Sequence, residues 1–298
     1  MLELMLSHTH VTPQNPARTV VLGAGGFIGG AILQHLKQAN VPVLAIGRPA
    51  FDLLASDAID KLAAALQPDD TLIFVSAKAP VKNIAMLLEN LRMAEAVCTA
   101  LQQQPVGHVI YISSDAVYRD SPEPLSENSC AEPSSLHGIM HLAREVMLRS
   151  AFVGPLALLR PTLVYGVRDP HSGYGPNRFR RLAAVGNEIV LFGDGEERRD
   201  HVAVGDIAEI VLRMTQHLST GIVNATSGEV VSFRSLAEFC ASQFPTRVTI
   251  KGSSRSGPMP HDGYRPFAPS AALTAFPGFR FTPWRDGLAR DCSQTQNA

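Results

Sequence analysis

Short apolar runs alternate with amphipathic stretches through the first half of the chain. TVVLGA leads into FIGGAILQHLKQA, VPVLAIG into DAIDKLAAAL, and TLIFVSA into the long IAMLLENLRMAEAVCTALQQQ. HVIYISS, HLAREVMLRSA and LALLRPTLVYG continue the rhythm. Near-continuous apolar runs separated by helical patterns predict a parallel sheet covered on both faces. The expected class is α/β with a doubly wound, Rossmann-type sheet, spanning residues 18–166.

From about Gly166 the rhythm breaks, and Gly and Pro cluster in DPHSGYGPNRF, FGDGEERRD and SGPMPHDGYRPFAPS. Residues 167–298 are therefore expected to form mainly a smaller C-terminal substrate-binding region. RDHVAVGDIAEIVLRMTQ followed by GIVNAT predicts a helix and a strand that return to the first domain at about 200–226. Residues 1–17, polar after a short apolar start, are expected to be a flexible tail.

Composition narrows the partner. The 298 residues are 45% apolar and 18% charged, enough to bury a large core. A net charge of −1 supplies no general basic field for nucleic acid or an anionic membrane surface, so a small molecule is the expected partner. MLELML carries Glu3 and lacks a basic leader, and no run is long enough for a membrane span. Cys98, Cys130, Cys240 and Cys292 lie far apart without a C-x-x-C pair, which fits reduced thiols in the cytoplasm.

Gly23, Gly26 and Gly29 form G-x-x-G-x-x-G between a predicted strand and a predicted helix. Glycine there permits a tight turn and lets backbone N–H groups approach a pyrophosphate, so the turn, with Phe27 and Ile28 inside it, is expected to bind a dinucleotide. An NAD site usually ends its second strand with a carboxylate for the ribose 2′-hydroxyl. Here VPVLAIGRP ends in Gly47 and Arg48, and an arginine suits a 2′-phosphate, so NADP is preferred over NAD. Lys78, after the third strand, is within expected reach of the cofactor phosphates.

GAGGFIG, the strand-end Ser76–Ala77, Asn90, YISSDAVY and LRPTLVYG, continuing through RRDHVAVGDIA, VNATSG, YRPFAPSAA and PGFRFTPWRDGL, resemble the extended short-chain dehydrogenase/reductases, the nucleotide-sugar epimerase/dehydratase family. The resemblance covers almost the whole chain from about residue 18. It implies a nicotinamide cofactor with Asp52 and Leu53 by the adenine, Ser76 and Ala77 along the cofactor, and Arg160–Pro161 under the nicotinamide. It also implies that Asn177, Arg199 and Arg265 contact the diphosphate of a nucleotide sugar, and that the protein is a homodimer.

Family chemistry uses a Ser or Thr hydroxyl, here Ser114, and a Tyr-x-x-x-Lys pair. In this chain the pair reads His137-Gly138-Ile139-Met140-His141. Spacing of four keeps both side chains on one helical face. His137 can exchange a proton near neutrality without a lysine to tune it, while His141 can hydrogen-bond a ribose but carries no permanent charge. Three readings stay open: an enzyme with His137 as acid/base, a cofactor-binding regulatory or scaffold protein with little redox activity, or an acid/base from another loop. Glu145 extends the histidines to i, i+4, i+8, yet Gly138 stands where a zinc protease needs glutamate, so no metal is expected. Tyr111, Tyr118 and Tyr165 are read as packing residues, and His201 and His261 as solvated loop histidines.

Overall fold

Along the chain, β1 (Ser7–His8) and β2 (Arg18–Leu22) precede α1 (Phe27–Gln38), β3 (Val43–Ile46), α2 (Ala58–Ala65) and β4 (Asp70–Phe74). Next come α3 (Ile84–Gln103), β5 (His108–Ile112), α4 (Leu136–Ala151), β6 (Leu156–Pro161) and β7 (Leu163–Tyr165). The second half holds α5 (Pro176–Ala184), β8 (Ile189–Phe192), β9 (Arg198–Ala203), α6 (Val204–Gln216), β10 (Ser219–Ala225) and β11 (Val230–Ser232). It ends with α7 (Phe233–Ser242), β12 (Ile250–Ser253), β13 (Tyr264–Arg265), α8 (Ser270–Ala275) and α9 (Trp284–Gln296). The computed structural model describes residues 5–296.

The main sheet has seven strands in the order β1-β10-β6-β5-β4-β2-β3, all parallel except β1. Every residue of β4, β5 and β6 is buried, as expected of central strands covered on both faces. One apolar layer, including Leu62, Leu72, Val97 and Leu101, packs α2 and α3 on one face. The other, including Ile32, Leu36, Ile207 and Val211, packs α1 and α6 on the opposite face. This is a doubly wound α/β architecture. β10 lies parallel to β6, so the chain leaves the first domain after β6 and re-enters its sheet 58 residues later, counting from Pro161 to Ser219.

The remaining elements build two small sheets, one joining β7, β9, β11 and β13, the other pairing β8 with β12. Their helices α5, α7 and α9 share a third core around Phe179, Leu191, Phe233, Leu236 and Trp284.

The expectation of a flexible tail over 1–17 needs correction for its described part. β1 pairs antiparallel with β10, Leu6 N donates to Ile222 O at 3.1 Å, and Gln14 N donates to Gln216 O at 2.9 Å. The His8 ring bridges Ser219 Oγ and Ala275 O, each at 2.9 Å. Its backbone therefore covers the open edge of β10, where unpaired N–H and C=O groups would otherwise face solvent. Short polar sequence hides this role, because edge pairing uses backbone groups rather than an apolar face.

Candidate active site

At the carboxyl ends of the parallel strands lies a cavity of about 840 Å³. This is where open α/β sheets bind their ligands. Gly23, Gly26, Phe27, Ile28 and Gly29 border it from the β2–α1 turn. Gly23 has φ +105°, and a Cβ on Gly29 would collide with the Gly23 carbonyl, so the tight turn requires both glycines. No side chain caps α1 at Gly26, which leaves its first-turn amides free for an anion.

Arg48, Asp52 and Leu53 line the same cavity after β3, and Ser76, Ala77 and Lys78 line it after β4. Arg48 is exposed, whereas Asp52 accepts a hydrogen bond from Leu54 N at 3.0 Å. Lys78 is shared with Glu89, 2.8 Å away, and its backbone N–H donates to Asn90 Oδ1 at 3.0 Å. Pro161 and Arg199 complete this set.

Ser114, His137 and His141 meet at the far end of the cavity, together with Ser113 and Asp115. Ser135 caps α4 by accepting from Gly138 N at 3.1 Å. A Cβ on Gly138 would collide with the Ala116 carbonyl oxygen and crowd Pro133, so glycine lets the first turn of α4 lie directly on the segment after β5. That approach sets His137 beside Asp115. The Ser114 hydroxyl accepts from Ala116 N at 3.1 Å and lies 3.3 Å from Asp115 Oδ1.

Both histidines are held neutral. Burial lowers the His137 pKa below its ordinary value; Asp115 opposes the shift and Arg144 adds to it. His137 Nδ1 is buried with no hydrogen-bond partner. His141 is pushed down further, by burial first and then by His137 and Arg144. Its Nδ1 lies 2.8 Å from the Tyr111 hydroxyl, and its ring meets His137 edge-on with centroids 4.7 Å apart.

Beneath the site runs a buried polar network that sequence reasoning missed. Ser113 Oγ donates to Glu145 at 2.5 Å, and Arg160 grips the same carboxylate through Nε at 3.0 Å and Nη2 at 2.6 Å. Arg144 donates to Ser76 O and Asn90 and lies over the Phe74 ring. Helical spacing could have found Arg144 and Glu145, since both follow His141 by about one turn. Asp115 stood in plain view inside SSDAVY.

Two predicted substrate residues stand outside the cavity lining. Asn177 does not line the cavity: its Oδ1 accepts from Gly166 N and its Nδ2 donates to Asp169, both at 2.9 Å, so it pins the entry to α5. Arg265 is 1% exposed and committed to Asp115, Asp120 and the Asp115 and Tyr118 carbonyls, which leaves it no free face for a diphosphate. Its register neighbour Arg199 lines the cavity, 3.2 Å from Glu197. His201 is buried rather than solvated, with a pKa lowered to about 3 by burial and by Arg199, and His261 is held by Asp120 at 2.5 Å. Tyr111 does more than pack, through its contact with His141. Among the described residues no His, Cys, Asp or Glu group has the arrangement of a metal site, and no helix is long and apolar enough to cross a membrane.

Known proteins resemble this chain in sequence and fold. A putative GDP-L-fucose synthase 2 from Oryza sativa subsp. japonica is 29% identical over 252 residues, covering 74% of this chain and 71% of the relative. A UDP-glucose 4-epimerase from Mycolicibacterium smegmatis is 28% identical over 231 residues, covering 66% and 72%. Among solved structures, the UDP-glucose 4-epimerase of Thermus thermophilus in complex with NAD superposes with a TM-score of 0.82 at 21% identity, covering 94% of this chain and 99% of that one. RMD from Pseudomonas aeruginosa complexed with NADPH gives the same TM-score, identity and coverage, and at this identity both likenesses speak to the fold. The model of the NAD dependent epimerase/dehydratase family matches residues 19–226, well over half of the chain, which therefore belongs to that family.

Proposed function

We propose that this chain is a cytoplasmic enzyme that binds NADP in preference to NAD and acts on a nucleotide sugar, with His137 moving the proton at the reacting sugar carbon. One observation carries the reading: a half-buried imidazole whose buried Nδ1 has no hydrogen-bond partner lines, with Ser114 and Asp115, the same cavity as a glycine turn with free helix amides. Such a cavity has the size and mixed lining of a cofactor site. The uncapped amides and the turn would hold the pyrophosphate, Asp52 and Leu53 the adenosine side, and Arg48 the 2′-phosphate. Bound there, a nicotinamide supplies the hydride acceptor or donor.

Because burial keeps His137 neutral, its resting state is a base. It would take the proton of a sugar hydroxyl as the adjoining C–H bond loses its hydride, which is the opening half of an epimerisation or dehydration. The reverse, reduction of a keto sugar, requires the imidazolium and would gain rate at lower pH. Ser114 would orient the oxygen, and Arg199 would meet the substrate's diphosphate at the cavity wall.

A second reading, a cofactor-binding protein with little turnover, is favoured by one feature: buried His141 supplies no cation to the cavity. Mixing cofactor-loaded protein with a panel of nucleotide sugars separates the two. New nucleotide-sugar products seen by NMR, or a change in nicotinamide absorbance, support the enzyme, and tight cofactor binding without either supports the alternative.

A further inference from the structure

We infer that Tyr111, a positioning residue, holds His141 in the Nε2–H tautomer, so that α4 presents a fixed neutral N–H donor to the cavity where the family pattern has a lysine. The inference rests on the proposed reading of the cavity as a dinucleotide site, and it adds how that site works without a lysine.

The placement of the hydrogens decides the tautomer. Arg144 has five N–H groups and no acceptor. Nε donates to Asn90 O at 3.0 Å, one Nη1 hydrogen to Ser76 O at 2.8 Å, and Nη2 to Asn90 O at 2.7 Å and Asn90 Oδ1 at 3.0 Å. The guanidinium charge also acts on the Tyr111 hydroxyl. A nearby cation favours a phenol whose O–H points away from it. Tyr111 is fully buried, so it stays protonated and has that hydrogen to give. Among the described residues the acceptor in reach is His141 Nδ1, at 2.8 Å.

An imidazole that accepts at Nδ1 carries its hydrogen on Nε2. The opposite tautomer would set Nδ1–H against a phenol oxygen already facing Arg144 and leave the phenol hydrogen buried without an acceptor, which disfavours it. Burial and the Arg144 charge also prevent a second proton on the ring. His141 lines the cavity, and with Nδ1 engaged the nitrogen left to a ligand is Nε2–H. A ribose hydroxyl is the natural recipient.

Long-range proton–nitrogen correlation spectra of the full chain labelled with ¹⁵N-histidine read the tautomer directly, with His141→Gln identifying the resonance. Expected are a protonated Nε2 and an unprotonated, hydrogen-bonded Nδ1 for His141. Tyr111→Phe should move His141 toward Nδ1 protonation and raise the NADPH dissociation constant about fivefold, the equivalent of one neutral hydrogen bond. Protonated Nδ1 in the native protein, or unchanged NADPH affinity in Tyr111→Phe, would overturn the inference. Native protein that binds neither NADPH nor NADH would instead overturn the reading of the cavity, so the two failures are distinguishable.

Discussion

At the residue scale, two arginines that neighbour each other across β9 and β13 have opposite fates. Arg265→Ala would remove the nearer of the two cations on buried Asp115, leaving Arg199 at 4.0 Å, and should destabilise the fold by about 3 kcal/mol, measured by urea denaturation. Arg199→Ala should cost clearly less stability, because its one side-chain hydrogen bond among the described residues goes to Glu197, and should weaken nucleotide-sugar binding by about 2–3 kcal/mol in calorimetry. Equal effects of the two on stability would contradict the assignment. Arg48 is exposed at the cavity rim, and Arg48→Asp should shift preference from NADP toward NAD by replacing a phosphate partner with a hydroxyl acceptor. Unchanged relative affinities would remove Arg48 from the cofactor site. The placement of the glycines and Arg48 on the cavity wall was legible because it follows from position along a strand–turn–helix unit. The commitment of Arg265 to Asp115 and Asp120 was not, since those partners lie 150 and 145 residues away.

At the element scale, the Ser114–His137 end of the cavity depends on how closely α4 approaches the segment after β5. Gly138→Ala should cost about 1–3 kcal/mol, because the new methyl meets the Ala116 carbonyl and helix and loop must part. Gly30→Ala is the control: its Cβ would sit 3.5 Å from Ala24 O, an ordinary contact, and helix propensity favours alanine by up to about 1 kcal/mol. Thermal denaturation of both variants checks the contrast, and similar melting temperatures would refute the tight approach. Helices and strands of the first domain were readable from apolar periodicity alone. β1 was not, because two polar residues pairing through their backbone leave no periodic signal.

Across the whole molecule, buried neutral histidines tie stability to pH. Burial lowers the pKa of His108 to about 4 and of His201 to about 3. Their unfolded values lie near ~6.5, so below that pH the unfolded chain takes up protons that the fold refuses. Their stabilisation is complete above about pH 6.5 and lost as pH falls toward the folded values, at about 1.4 kcal/mol per pH unit for each residue. Urea midpoints should therefore drop between about pH 6.5 and 5; a constant midpoint would contradict the burial of these rings. α3 and α4 leave Ile84, Leu88, Ile139 and Val146 exposed, apolar positions suited to the second copy that the family resemblance implies. Sedimentation should show a dimer that Leu88→Asp dissociates, and an unchanged sedimentation coefficient would place any interface elsewhere. The doubly wound class was legible from sequence because its strands are buried on both faces. The two small sheets of the C-terminal region were not, because Gly- and Pro-rich segments carry little periodicity. The role of His137 can be read from hydride transfer, followed by nicotinamide absorbance and by NMR of new nucleotide-sugar products, when cofactor-loaded protein meets a panel of nucleotide sugars, native against His137→Phe. Hydride transfer by the native protein, with near-complete loss in His137→Phe and cofactor affinity intact, is the expected result; equal transfer by both proteins, or none by either while cofactor stays bound, would contradict it.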